Sequence, residues 1–188
     1  MGVSETLKHF NWVDILAVAL LFRACYIGFK QGIIVEFFKL LGVLFASFFA
    51  LHYYWRLGTF LSELAPVANV ACNAFSYLVL ISLSIVLFLL FRKSIFTVIH
   101  IEVADLLKSF GGLLLGSLRG VLAASLVFIF FNVTEGPYLA ASLRHSRIGS
   151  SVVKAAPFTY KFMLEGIFSK FSSQIKLNRE LFNALEEK

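Results

Sequence analysis

The sequence predicts an all-α fold: four transmembrane helices in one bundle, a short surface helix between the third and fourth spans, and an amphipathic C-terminal tail. Three observations carry that expectation. Of 188 residues, 59% are hydrophobic, 22 are Phe and only 15% are charged, and the mean hydropathy is +0.84. A soluble domain of this length has no use for so much apolar surface. Four apolar runs of near-bilayer length follow one another, separated by short polar breaks. Within the last run, small residues recur every four positions: Gly112, Gly116, Gly120 and Ala124. Each step of four turns about 40° on a helix, so these residues form a slowly winding groove. Lipid tails are as apolar as Leu, so helices in a bilayer associate through close packing of small residues rather than through apolar burial. The groove therefore marks a helix pressed against another.

Residues 1–11 form a short polar leader, and a first span runs from Trp12 to Ile27, with Trp12 at an interface. Asp14 interrupts the apolar run and no small-residue cleavage site follows, so the span reads as retained rather than as a signal peptide. Asp14, Ala17, Leu21, Ala24 and Gly28 share one face, and Arg23 lies opposite. Gly28 and Gly32 then bracket a tight hairpin, Gly28-Phe-Lys-Gln-Gly32, because glycine tolerates positive φ. The second span runs from Ile33 to Tyr54 with its own small-residue ladder, Gly42, Ala46 and Ala50, and ends in a belt of His52, Tyr53, Tyr54 and Trp55.

Residues 56–65 read as a loop closed by Pro66, and the third span runs from Pro66 to Phe91. Its Asn69, Asn73, Ser76 and Ser84 share a face, read first as interhelical hydrogen-bonding glue and second as a pore lining. After Arg92 and Lys93, residues 94–109 are amphipathic and too short and polar to span. The fourth span runs from Phe110 to Phe131. Beyond the breaker Gly136-Pro137, a stripe of Tyr160, Leu164, Ile167, Phe168, Phe171 and Ile175 indicates a helix that lies at the interface or docks on the spans. This divides the chain into a membrane domain, 1–135, and a basic amphipathic tail, 136–188.

The net charge of +6 is carried by residues flanking the spans and in the tail. That placement points to lipid headgroups rather than nucleic acid. Cys25 and Cys72 each lie in an apolar run, toward opposite membrane faces, and are expected not to pair. No GxSxG, Walker, HExxH or GxGxxG motif is present, and His9, His52, His100 and His145 are scattered, so neither an enzyme nor a cofactor or metal is expected. The intramembrane ionisable residues Asp14, Glu36 and Arg119 remain as the functional candidates. Glu36 and Arg119 begin from the same side of the membrane at similar depth, and are expected to pair, with the Arg fork suited to a carboxylate and Lys39 competing. The small-residue faces of spans two and four are expected to meet, within one subunit or between subunits. Lys30, Arg92, Lys93 and Lys108 occupy the first and third connections against Arg56 alone in the second, which puts those connections in the cytoplasm and both termini outside.

Two motifs carry a family resemblance. Gly28-Phe-Lys-Gln-Gly32-Ile-Ile-Val-Glu36 resembles the hairpin between the first two spans of the colicin V production protein (CvpA) family, and Gly112-Leu-Leu-Leu-Gly116-Ser-Leu-Arg119-Gly120 resembles its fourth span. Asn11-Trp12-Val13-Asp14 is similar to its start, so the resemblance covers residues 11–132. It implies a non-enzymatic, multi-pass protein of the bacterial inner membrane, accessory to toxin production and export or to envelope homeostasis. Its partners would be the lipid bilayer and either further copies of itself or other membrane proteins. The competing reading is a channel or transporter subunit that conducts through an oligomer.

Overall fold

The structure is a computed structural model and describes residues 11–64, 68–98, 105–134, 142–143 and 146–168. Four helices are long and apolar enough to cross a membrane. They are α1 (Trp12–Gln31), α2 (Ile33–Leu64), α3 (Asn69–Val98) and α4 (Asp105–Val133). Two short helices follow, α5 (Arg147–Val152) and α6 (Ala155–Met163), and α6 runs into a π-helical turn, Leu164–Phe168. No strand occurs among the described residues.

The helix ends differ from the expected ones for local reasons. The hairpin is not the five-residue connection 28–32: α1 continues through Gln31, and Gly32 alone turns the chain. Its φ of +85° is a conformation that a side chain would oppose. Gly28 is helix interior, so its absent side chain serves packing and not the turn. Residues 56–64 are not a loop but the last turns of α2. Gly58 stays helical, packed against Asn73, and the hydroxyls of Thr59 and Ser62 donate back to the carbonyls of Trp55 and Thr59, at 3.0 and 2.8 Å, inside the helix. The segment 94–109 contributes to its neighbours: residues 94–98 extend α3 and 105–109 open α4, while 99–104 lie outside the described residues.

In space the helices run α1, α4, α2, α3, because α4 enters between α1 and α2 and packs along both. Helices α1 and α2, joined by one residue, touch little. Helix α3 leans on α2 and is the least buried span. The expected contact between the small-residue faces of spans two and four is corrected here. The glycines of α4 face α1, whose Asp14–Ala17–Leu21–Ala24–Gly28 face is also small and in matching register. On α2, Gly42 receives the ring of Phe88 from α3, whereas Ala46 and Ala50 are fully buried. Of the polar stripe of α3, Asn73 packs on Gly58 of α2, Ser76 is fully buried with no hydrogen-bond partner for its hydroxyl among the described residues, and Asn69 is exposed.

The core lies toward the end of the bundle that carries the start of α1. Val13, Ala17, Leu51, Tyr77, Phe128 and Ile129 are fully buried there, and Tyr77 donates its hydroxyl to the carbonyl of Leu126 at 2.9 Å, tying α3 to α4. The tail completes this core. Val152, Val153, Ala156, Tyr160 and Leu164 are buried in the same cluster. Of the predicted stripe, Tyr160 and Leu164 thus dock on the spans, while Phe171 and Ile175 lie outside the described residues. Cys25 and Cys72 are both free.

Candidate functional site

The site is built where α4 crosses the α1–α2 turn. The crossing brings backbone against backbone. A Cβ placed on Gly116 would stand 2.8 Å from the Ala24 carbonyl oxygen and 2.9 Å from Gly28 Cα, and one on Gly112 would stand 2.9 Å from Gly32 Cα. Contacts under 3.0 Å with backbone have nowhere to relax, so only glycine fits. One step further along, a Cβ on Gly120 would stand 2.6 Å from the Ala24 methyl, and Ala124 is fully buried.

With its glycines on α1, α4 presents Arg119 to α2. Glu36, one turn into α2, is fully buried. Each of its carboxylate oxygens accepts from a different cation. Arg119 Nε donates to Oε2 at 2.7 Å, and Lys39 Nζ donates to Oε1 at 2.8 Å. Lys39 also donates to Gln31 Oε1, which links the end of α1 to the same cluster. The Arg fork is not used as expected: the contact runs through Nε, and Nη2 is buried with no hydrogen-bond partner among the described residues. Two cations around one carboxylate leave the cluster net positive.

Asp14, the third ionisable candidate, lies at the other end of the bundle and does not join this cluster. Its Oδ1 accepts from Ser146 Oγ at 2.6 Å and from the backbone N–H of Ile148 at 2.8 Å. Ser146 Oγ in turn accepts from the Gly149 N–H at 2.7 Å, so Asp14 and Ser146 together cap α5. Asn11 begins the same clasp by donating its side-chain amide to the Ser142 carbonyl.

Two further polar links hold the tail and went unread in the sequence. Ser125 of α4 donates to the Val153 carbonyl at 2.8 Å and accepts from the Ala156 N–H at 3.0 Å. His52 Nδ1 and the Tyr160 hydroxyl lie 2.8 Å apart, with the His52 ring stacked on Phe48. His52 reads in the sequence as part of an interfacial belt, and Ser125 carries no sequence signal. A Ser immediately before a helical segment, at Ser146, was the one local signal available. Among the described residues, no group of three His, Cys, Asp or Glu could hold a metal; His9, His100 and His145 lie outside them.

This arrangement is anchored in segments that a family profile recognises. The profile described as Colicin V production protein matches residues 13–157. The chain belongs to the colicin V production protein family. The match takes in the crossing, the Glu36–Arg119 pair and Asp14, and it continues past residue 132 through Ser146 to the start of α6. The first part of the tail is therefore a family feature, in keeping with its place in the core. No curated protein and no solved structure matches the chain significantly. Membership and the four apolar helices together make it a multi-pass membrane protein of the colicin V production family.

Proposed function

We propose that the chain is a non-enzymatic accessory of the bacterial inner membrane in toxin production and export, acting as a scaffold for further copies of itself or for other membrane proteins. The observation that carries this reading is the use made of the buried carboxylates. Glu36 is shared between Lys39 and Arg119, and Asp14 caps α5. Both are engaged in holding elements together, which is a structural use of charge within a membrane. The packing of Asn73 against Gly58 and the burial of Ser76 also favour packing over conduction. The family description, colicin V production, supplies the toxin context.

The test is complementation. A colicin V-producing strain that lacks its own family member is supplied with the wild-type chain or with Gly116→Leu, and toxin is measured in the medium and in the cells. Restoration by wild type alone is expected, with purified protein in sealed vesicles carrying no ion or dye flux above empty vesicles. Flux that Asn69→Leu abolishes would replace the scaffold by the channel reading.

A further inference from the structure

We propose that α6 is embedded in the surface of one leaflet, with Phe158 and Phe162 among acyl chains and Lys154 and Lys161 at the headgroups. The tail then binds the bilayer with its outer face as it binds the spans with its inner face. Its depth is marked on two spans. Ser125 of α4 accepts from the Ala156 N–H at the start of α6. It stands seven residues short of Asn132, where the apolar run of α4 ends, which is about 10 Å along the helix at 1.5 Å per residue. On α2, the Tyr160 ring packs on Phe48, and its hydroxyl lies 2.8 Å from His52 Nδ1. The next charged residue of α2 is Arg56, one turn past His52 and about 6 Å further along. Both marks put α6 just inside the apolar slab. Interfacial helices bury their apolar face to about 5–10 Å at this boundary. Phe49 and Tyr53, beside the contact residues of α2, are exposed at the same level.

The surface of α6 is divided to suit that position. A helix lying along the flank of a bundle at the membrane surface meets protein on one side and lipid on the opposite side. Between them, one flank meets headgroups and the other meets the bilayer interior. Ala156 and Tyr160 are fully buried against the spans. Around the helix from Tyr160, Lys161 and Lys154 fall at about 100° and 120°, and Phe158 and Phe162 at about 160° and 200°. The cations thus occupy one flank, where Lys161 also pairs with Glu165 at 3.9 Å. The two Phe rings, 71% and 65% exposed, point directly away from the bundle. The remaining flank holds Ala155 and Thr159 and carries no charge. There the Thr159 hydroxyl donates to the carbonyls of Ala155 and Ala156, so its donor is satisfied within the helix. Two Phe side chains one turn apart gain nothing from an outward position in water, whereas acyl chains beside a basic flank accept them.

Spin-label accessibility in phospholipid vesicles tests this on the full chain. In a Cys25→Ala, Cys72→Ala background, a nitroxide is attached at Phe162→Cys or, for comparison, at Lys161→Cys. Collision with oxygen, which concentrates among acyl chains, is compared with collision with a nickel chelate, which stays in water. The ratio of oxygen to nickel collision should be several-fold higher at 162 than at 161. Equal ratios at the two positions overturn the proposal. Weak collision with both reagents at 162 overturns it too, because it shows the outer face covered by protein, either a second copy or a partner. A second measurement needs no substitution. A phosphatidylcholine with a diazirine in its acyl chain is photolysed with the wild-type chain in the same vesicles. Adducts are expected in the tryptic peptides 155–161 and 162–170, which hold Phe158 and Phe162 respectively. Adducts confined to the four spans overturn the proposal.

Discussion

The two ends of this bundle are held by opposite means. Where α4 crosses the α1–α2 turn, backbones touch through Gly28, Gly112 and Gly116, and the polar contact centres on an ionic cluster, Glu36 with Arg119 and Lys39, the last also donating to Gln31. At the other end the tail packs into the core, held by the neutral links of Ser125 to Val153 and Ala156 and of His52 to Tyr160, together with the Asp14 carboxylate that caps α5. The contrast follows from the surroundings. Within the bilayer, apolar side chains gain little from leaving lipid, so association requires either atomic fit or a polar group with no other partner. The tail brings backbone N–H and C=O groups from two short helices into the core, and these require hydrogen-bonding partners wherever they are buried. The crossing is thus set by steric exclusion and charge, and the far end by satisfied backbone and a filled core.

Substitution at the crossing should have the largest effect. Gly112→Leu and Gly116→Leu each place a side chain against backbone, and each should destabilise by more than the roughly 1–3 kcal/mol of ordinary overpacking. Gly28→Leu should match them, because it meets the same contact from α1. Gly42→Leu should be milder, since it meets only the side chain of Phe88. Thermal unfolding in detergent ranks the four. Equal loss at Gly42 and Gly116 would remove the distinction between backbone and side-chain contact.

A smaller effect is expected at the tail clasp. Asp14→Ala removes a charged acceptor from two donors, worth about 1.5–3 kcal/mol for hydrogen bonds to a charged group. The tail should loosen, and trypsin should cut at Arg147 or Lys154 several-fold faster while the spans stay assembled. Unchanged cleavage with a lower melting temperature would place the role of Asp14 in α1 instead. The smallest effect belongs to Tyr160→Phe, which keeps the ring in the core and removes the hydroxyl partner of His52, at about 1 kcal/mol. A loss as large as that of Asp14→Ala would show that the neutral links are not the weaker set.

The crossing was the more legible end. A four-residue repeat of small side chains and two charges at similar depth are local patterns, and from them the groove and the Glu36–Arg119 partnership could be read. The neighbour of the groove could not, because α1 and α2 both carry small residues, and only the insertion of α4 between them decides that Gly116 meets Gly28. The matching spacing of Asp14, Ala17, Leu21, Ala24 and Gly28 was the available clue. The length of α2 was obscured because Arg56, Gly58 and Glu63 read as a polar loop, although the helix runs through Gly58 where it packs on Asn73. The tail contacts were out of reach for a different reason. Ser125 and Ala156, or His52 and Tyr160, are paired by the descent of the tail into the core and by no periodicity shared along the chain.

The claim that joins α2 to α4 is that Glu36 holds Arg119 as a buried ion pair. A double-mutant cycle on unfolding free energy in detergent measures it directly. Glu36→Leu should cost about 3–5 kcal/mol, since it strands the charge of Arg119, and Arg119→Leu should cost less, since Glu36 keeps Lys39. Glu36→Leu should be the worse, because it leaves Lys39 unpaired as well. The double variant should recover part of the loss, with a coupling of at least about 1 kcal/mol. A double variant that loses the sum of the two singles would show that Arg119 and Glu36 act independently, and that the link between α2 and α4 rests on packing alone.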